Sequence, residues 1–154
     1  MIRTLIVDDH PVLRRGLAEI VAQEADMTVA GEAASAQEML AFVRQQPCDV
    51  VVTDISMPGR SGLDALKELK QERPSLPVLI LSMHPEDQYG MRALRLGASG
   101  YLTKDSASDE LVMAIRKLGA GGQYLSPTLA QQWASVLAIE TAPPPQETPP
   151  KPER

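Results

Sequence analysis

Short apolar runs alternate with amphipathic stretches along most of the chain. Residues 4–7 are β-rich and end in Asp8-Asp9; Pro11 then suits the first turn of a helix, and Leu13, Leu17, Ile20 and Val21 follow at helical spacing. Residues 28–30 read as a short second strand, and 37–45 as a helix with Leu40 and Val43 inward. Val50-Val51-Val52-Thr53 is a continuous run ending at Asp54, the pattern of a strand buried on both faces. Ser61 is placed to cap a helix carrying Leu63, Leu66 and Leu69. A fourth strand over 77–81 ends at Ser82, and a helix over 87–96 stops at Gly97. Residues 100–102 form a brief fifth strand before Lys104. Ser108 is expected to cap a fifth helix with Leu111, Ile115 and Leu118 on one face, ended by Gly119, Gly121 and Gly122. A last helix from Pro127 carries Leu129, Trp133, Val136 and Leu137. Strict β-α alternation predicts an α/β fold, a parallel sheet with helices on both faces. Right-handed crossovers leave few topologies.

Composition sharpens this picture in three places. Aromatic residues make up only 3% of the 154, so Val, Ile, Leu, Met and Ala must build the core. From Glu140 onward six of fifteen residues are proline and no apolar period remains, which predicts an extended, mobile tail. The division is then 1–125 for the main domain, 126–139 for a C-terminal helix and 140–154 for a Pro-rich linker. A net charge of −5 gives no footprint for tight nucleic-acid binding. The single cysteine, Cys48, excludes an internal disulfide and suits a reducing compartment. Met1-Ile2-Arg3-Thr4 runs directly into a strand, with no signal peptide, and no apolar run reaches the roughly 18 residues that span a bilayer. A cytoplasmic location without membrane association is expected.

The candidate chemistry lies at strand ends. Asp8-Asp9, Asp54, Ser82 and Lys104 each follow a predicted strand, and in an open parallel sheet the carboxyl ends share one edge, where ligands bind. Two carboxylates 4 Å apart repel by about 4 kcal/mol at an effective dielectric near 20, so three crowded there call for a cation. Mg2+ fits, since it takes oxygen ligands and keeps several waters. Asp9 and Asp54 could bind it directly, Asp8 through water, and a backbone carbonyl after Asp54 could add a ligand. With Lys104 such an ion would neutralise a transferring phosphoryl group, Asp54 would be the nucleophile, and Ser82 would donate to the new oxygens. Each residue also has an ordinary reading: a helix cap for the acidic pair, a turn at Pro58-Gly59 for Asp54, a loop hydroxyl for Ser82, a surface charge for Lys104, packing for Tyr101. It is the common edge that joins them. His10 and His84 lack cysteine partners at zinc spacing, Cys48 precedes a buried strand, and the glycines form no phosphate-cradling loop.

These segments also resemble a known family. Val7-Asp8-Asp9-His10-Pro11, Thr53-Asp54-Ile55-Ser56-Met57-Pro58-Gly59, Leu81-Ser82-Met83-His84 and the stretch from Gly97 through Gly100-Tyr101-Leu102-Thr103-Lys104 are similar to the receiver domains of bacterial two-component response regulators. The likeness covers residues 2 to about 125. The Asp-His-Pro start and the stretch through Gly121-Gly122-Gln123-Tyr124-Leu125 resemble the NarL/FixJ subfamily most. The resemblance implies a flavodoxin-like (CheY-like) sheet of order 2-1-3-4-5. It implies phosphorylation of Asp54 by a histidine kinase, and Mg2+ held by Asp9, Asp54 and the main-chain carbonyl of Ser56, with Asp8 assisting. Lys104 would pair with the phosphoryl group, Ser82 and Tyr101 would be the switch pair, and Ser56 and His84 occupy positions that tune dephosphorylation. The expected function is a phospho-switch that alters a dimer or partner surface, not an enzyme. Subfamily members usually continue into a helix-turn-helix domain, so the sequence is expected to be receiver plus linker, meeting DNA only through a C-terminal domain outside it. Two alternatives differ in class. A haloacid-dehalogenase-like phosphatase would need Asp-x-Asp spacing, which adjacent Asp8 and Asp9 break; a non-phosphorylated module, degenerate or flavin-binding, is opposed by the intact acidic set and the scarcity of aromatics.

Overall fold

A computed structural model of the chain describes residues 1–57 and 61–141. Five strands, β1 (Ile2–Val7), β2 (Met27–Ala33), β3 (Val50–Asp54), β4 (Val78–Ser82) and β5 (Gly100–Thr103), form one parallel sheet of order β2-β1-β3-β4-β5. The intervening helices are α1 (Pro11–Ala22), α2 (Ala36–Gln45), α3 (Gly62–Glu72), α4 (Glu86–Arg95) and α5 (Ala107–Gly119), and α6 (Pro127–Thr141) follows. The alternation of side chains along buried strands divides the core in two. Val51 and Ile80 face Met39, Leu40, Leu66 and Leu94 on the α2–α4 side. Val50, Val52, Leu79 and Leu81 face Leu17, Val21, Leu111 and Ile115 on the α1/α5 side. Every residue of β3 and β4 is buried, as the continuous apolar runs predict.

The elements depart from expectation where polar residues carry them. β2 runs seven residues rather than three, because Glu32 and Gly31 extend an edge strand whose outer positions tolerate polarity. Ser108 does not cap α5; Ser106 occupies that position, because Ala107 is drawn into the core at 4% exposure and starts the helix two residues earlier. Ser61 does cap α3, its hydroxyl accepting from the Leu63 N–H at 3.2 Å. Ser35 caps α2 in the same way, while Glu38 Oε1 accepts from Ala34 N–H at 3.0 Å, so two end donors are satisfied reciprocally.

Residues after α5 pack back on the domain. Tyr124 bridges Gly100 in parallel, giving β5 a partner on its outer side: Tyr101 N–H donates to Tyr124 O, and Tyr124 N–H to Ser99 O. Its hydroxyl donates to Glu110 Oε1 at 2.7 Å, a bond that pushes the phenol up to about 12. Ser126 accepts from Leu129 N–H and donates to Glu86 Oε1 at 2.5 Å, tying the start of α6 to the start of α4. Leu129, 1% exposed, enters the α2–α4 core against Gly90, with Trp133 packed alongside. The helix continues to Thr141, two residues past the expected 139. The Pro-rich segment from 142 and the expected Pro58-Gly59 turn lie outside the described residues.

Gly62 fixes the approach of α3 to the end of β3. Its N–H donates to Ile55 O at 2.9 Å, and a methyl group there would overlap the Ile55 backbone. Gly62→Ala is therefore expected to cost about 1–3 kcal/mol by overpacking. An unchanged urea midpoint at unchanged slope would contradict this account.

Candidate functional site

Strand register brings the separate sequence segments together. Val7 pairs with Thr53, Asp54 with Leu81 and Ser82 with Thr103, so Asp8, Asp54, Ser82 and Lys104 emerge side by side at the carboxyl edge. Asp8, Asp54 and Ser82 are buried. Lys104 Nζ lies 2.9 Å from Asp54 Oδ2 and 3.0 Å from Asp8 Oδ2, with only 7% of its side chain exposed. Its backbone N–H donates to Ser82 O at 2.8 Å, which anchors the residue that carries the ammonium.

Electrostatics follow from these contacts. Burial alone would raise the Asp8 carboxyl, but hydrogen bonds from the His10 N–H and the Lys104 ammonium outweigh it and hold the group below the ordinary carboxylate range. Burial alone would lower Lys104; hydrogen bonds to Asp54 and Asp8 outweigh it and leave the ammonium above its ordinary value. Asp54 uses both oxygens, Oδ2 toward Lys104 and Oδ1 accepting from Ser56 N–H at 3.1 Å. Ser82 and Tyr101 meet at one residue. Ser82 Oγ accepts from His84 N–H at 2.9 Å, and the Tyr101 hydroxyl donates to His84 O at 3.1 Å. Tyr101 is buried, which raises its phenol.

Two features were not legible from spacing. Asp8, expected to reach a metal through water, is bonded at both oxygens, by His10 N–H and Lys104, and Arg14 Nη1 donates to its carbonyl at 2.7 Å. The His10 ring joins the cluster, its Nδ1 at 2.9 Å from Asp8 Oδ1 and 3.3 Å from Asp9 Oδ1. Asp9 Oδ1 is a buried oxygen with no hydrogen-bond partner. Ligand atoms of Asp8, Asp9, His10 and Asp54 all lie within 4.8 Å of one another. Three carboxylates against one ammonium, one of them with a buried oxygen that accepts no hydrogen bond, fit a hard divalent cation. A carboxylate beside an ammonium and a cation pocket has what phosphoryl acceptance requires: a nucleophile and positive charge for the transferring oxygens.

A five-stranded 2-1-3-4-5 sheet with this acidic edge defines a receiver-type α/β domain. Residues 4–116 match the model of the response regulator receiver domain, and the chain belongs to that family. It is 38% identical over 134 residues to the response regulator GacA of Pseudomonas aeruginosa, covering 87% of this chain and 63% of that protein. It is 35% identical over 134 residues to the response regulator UvrY of Escherichia coli, covering 87% and 62%. The chain thus spans just under two thirds of these relatives. Among solved structures, a LuxR-family two-component response regulator from an Aurantimonas species superposes with a TM-score of 0.80 at 36% identity, covering 88% of this chain and 97% of that one. The isolated receiver of RcsB from Salmonella enterica, in the presence of phosphomimetic BeF3−, gives 0.76 at 26% identity, covering 84% and 96%. These relatives agree with the subfamily likeness and set aside the phosphatase and flavin-module alternatives. Among the described residues no helix is long and apolar enough to cross a membrane.

Proposed function

We propose that the chain is a phosphorylation-dependent switch in which Asp54 is the phosphoryl acceptor. The observation carrying this reading is the Lys104 ammonium within 3.0 Å of both Asp54 and Asp8, beside Asp9 Oδ1, which accepts no hydrogen bond. One Asp54 oxygen attacks phosphorus in line. The bond from phosphorus to the donor's imidazole nitrogen breaks, that nitrogen keeps the electron pair and takes a proton, and an acyl phosphate remains on Asp54. Lys104 holds the charge of the transferred oxygens. Asp9, Asp54 and the Ser56 carbonyl would hold Mg2+, with Asp8, already committed to Lys104, acting through water. The ion supplies charge neutralisation and orientation when bound. Ser82 donates its hydroxyl to the phosphoryl group; because Ser82 and Tyr101 both grip His84, that movement is passed to the loop entering α4.

The donor on this reading is a histidine kinase, the response a change in a homodimer or partner surface, and DNA is met only through a domain beyond this sequence. The chain works in the cytoplasm and catalyses no turnover of an external substrate. Intact mass tests the assignment. Acetyl phosphate with Mg2+ should add one phosphoryl group, a chelator should prevent it, and light scattering on the same samples follows oligomeric state. No mass gain under these conditions would overturn the reading.

A further inference from the structure

His10 stands where a helix N-cap normally uses its side chain on the first turn, yet it makes no such bond. Pro11 follows it, and proline restricts the preceding residue to extended backbone, here φ −94° and ψ 107°. The ring lies against the acidic pair, with Nδ1 between Asp8 Oδ1 and Asp9 Oδ1. Asp9 Oδ1, at the longer of the two distances, has no hydrogen bond of its own. The ring is 64% exposed, so it can reorient without disturbing the core.

We propose that His10 is a ligand donor that sets the ion choice of this pocket, extending it from Mg2+ to first-row transition ions that accept nitrogen. The inference rests on the reading of the acidic edge as the metal site. An all-oxygen set suits Mg2+, which keeps its waters and gains little from an imidazole. With its proton on Nε2, a neutral imidazole exchanges the Nδ1 hydrogen bond to Asp8 for a free Nδ1 lone pair, and Co2+, Ni2+ and Zn2+ bind that donor well. Adding His10 to Asp9 and Asp54 therefore strengthens the pocket for those ions selectively. The competing account is that His10 only orients Asp8 by hydrogen bonding. A glutamine at position 10 keeps a donor for Asp8 but offers no imidazole nitrogen, so it separates the two.

The test is calorimetric titration of the full, untagged chain with Co2+ and with Mg2+, for the parent, His10→Gln and His84→Gln. His84 is the only other histidine in the sequence, and its ring packs edge-on against Tyr89 with centroids 5.0 Å apart. The expected result is a loss of Co2+ affinity of about tenfold or more in His10→Gln, the scale seen when groups around a bound metal are removed. Mg2+ affinity should stay within about twofold, and His84→Gln should match the parent. The visible absorption of bound Co2+ should also change between parent and His10→Gln, reporting the lost nitrogen. Equal Co2+ affinities, parallel losses for both ions, or a loss that follows His84→Gln would each overturn the proposal. If the parent binds neither ion, the metal-site reading itself fails, an outcome distinct from one in which Mg2+ binds and His10 is silent.

Discussion

Asp54→Asn should leave the chain unlabelled by acetyl phosphate and Mg2+ under conditions that bring the parent to one phosphoryl group per chain. The amide keeps the shape of the carboxylate but offers no anionic oxygen to attack phosphorus. The fold should survive. Asn keeps an oxygen for the Ser56 N–H, which Asp54 Oδ1 accepts at 3.1 Å, and Lys104 keeps Asp8 as its partner at 3.0 Å. One carboxylate fewer also relieves repulsion at the edge. Intact mass and circular dichroism on the same sample separate lost chemistry from lost structure. A folded Asn variant labelled to the parent's extent at a single site would place the nucleophile elsewhere.

Lys104→Met should be the most destabilising change at the site. It retains a long apolar stem but removes the ammonium facing two buried carboxylates, 1% and 2% exposed. Breaking a buried pair from one side costs about 3–5 kcal/mol, because the remaining charges stay desolvated. Mg2+ should recover part of the loss, since an ion bound only by the folded state adds about 2.7 kcal/mol at a hundredfold excess over its Kd. The signs of the two shifts fix the pH window. Asp8 is lowered from 3.8 by folding, so its contribution is complete above that value and disappears as pH falls through the folded pKa. Lys104 is raised from 10.5, so its contribution is complete below that value and disappears as pH rises through the folded pKa. The stability gap between parent and variant should thus be flat from about pH 5 to pH 9. Urea denaturation across this range, with and without Mg2+, measures it. A gap below about 1 kcal/mol, the worth of a solvent-exposed pair, would mean the ammonium is not a buried counter-ion.

What could be read in advance follows the physics of each element. The valines of β3 announce a strand buried on both faces, and Asp54 at its end follows from topology alone. β2 was legible only over residues 28–30: with a neighbour on one side, an edge strand is held by backbone pairing that Gly31 and Glu32 do not advertise. The start of α5 turned on whether Ala107 is buried, a tertiary matter that two nearby serines cannot decide. In Ser35-Ala36-Gln37-Glu38 the cap of α2 carried a local signal, serine with glutamate three places on. At the site, the rule that strand ends share an edge assembled Asp8, Asp54, Ser82 and Lys104. The ring of His10 and the shared grip on His84 depend on side-chain direction, which periodicity does not encode.

The pairing of Tyr124 with Gly100 bears on where the domain ends. Ser99 O and Tyr101 N–H are already taken by Tyr124, so at the start of β5 an incoming strand finds the outer edge occupied. The opposite flank, β2, keeps its outer edge, with Glu32 gripped there by Arg14 and Arg15. A boundary drawn at Gly119 would cut through the sheet's own lateral seal and leave β5 open to a second molecule.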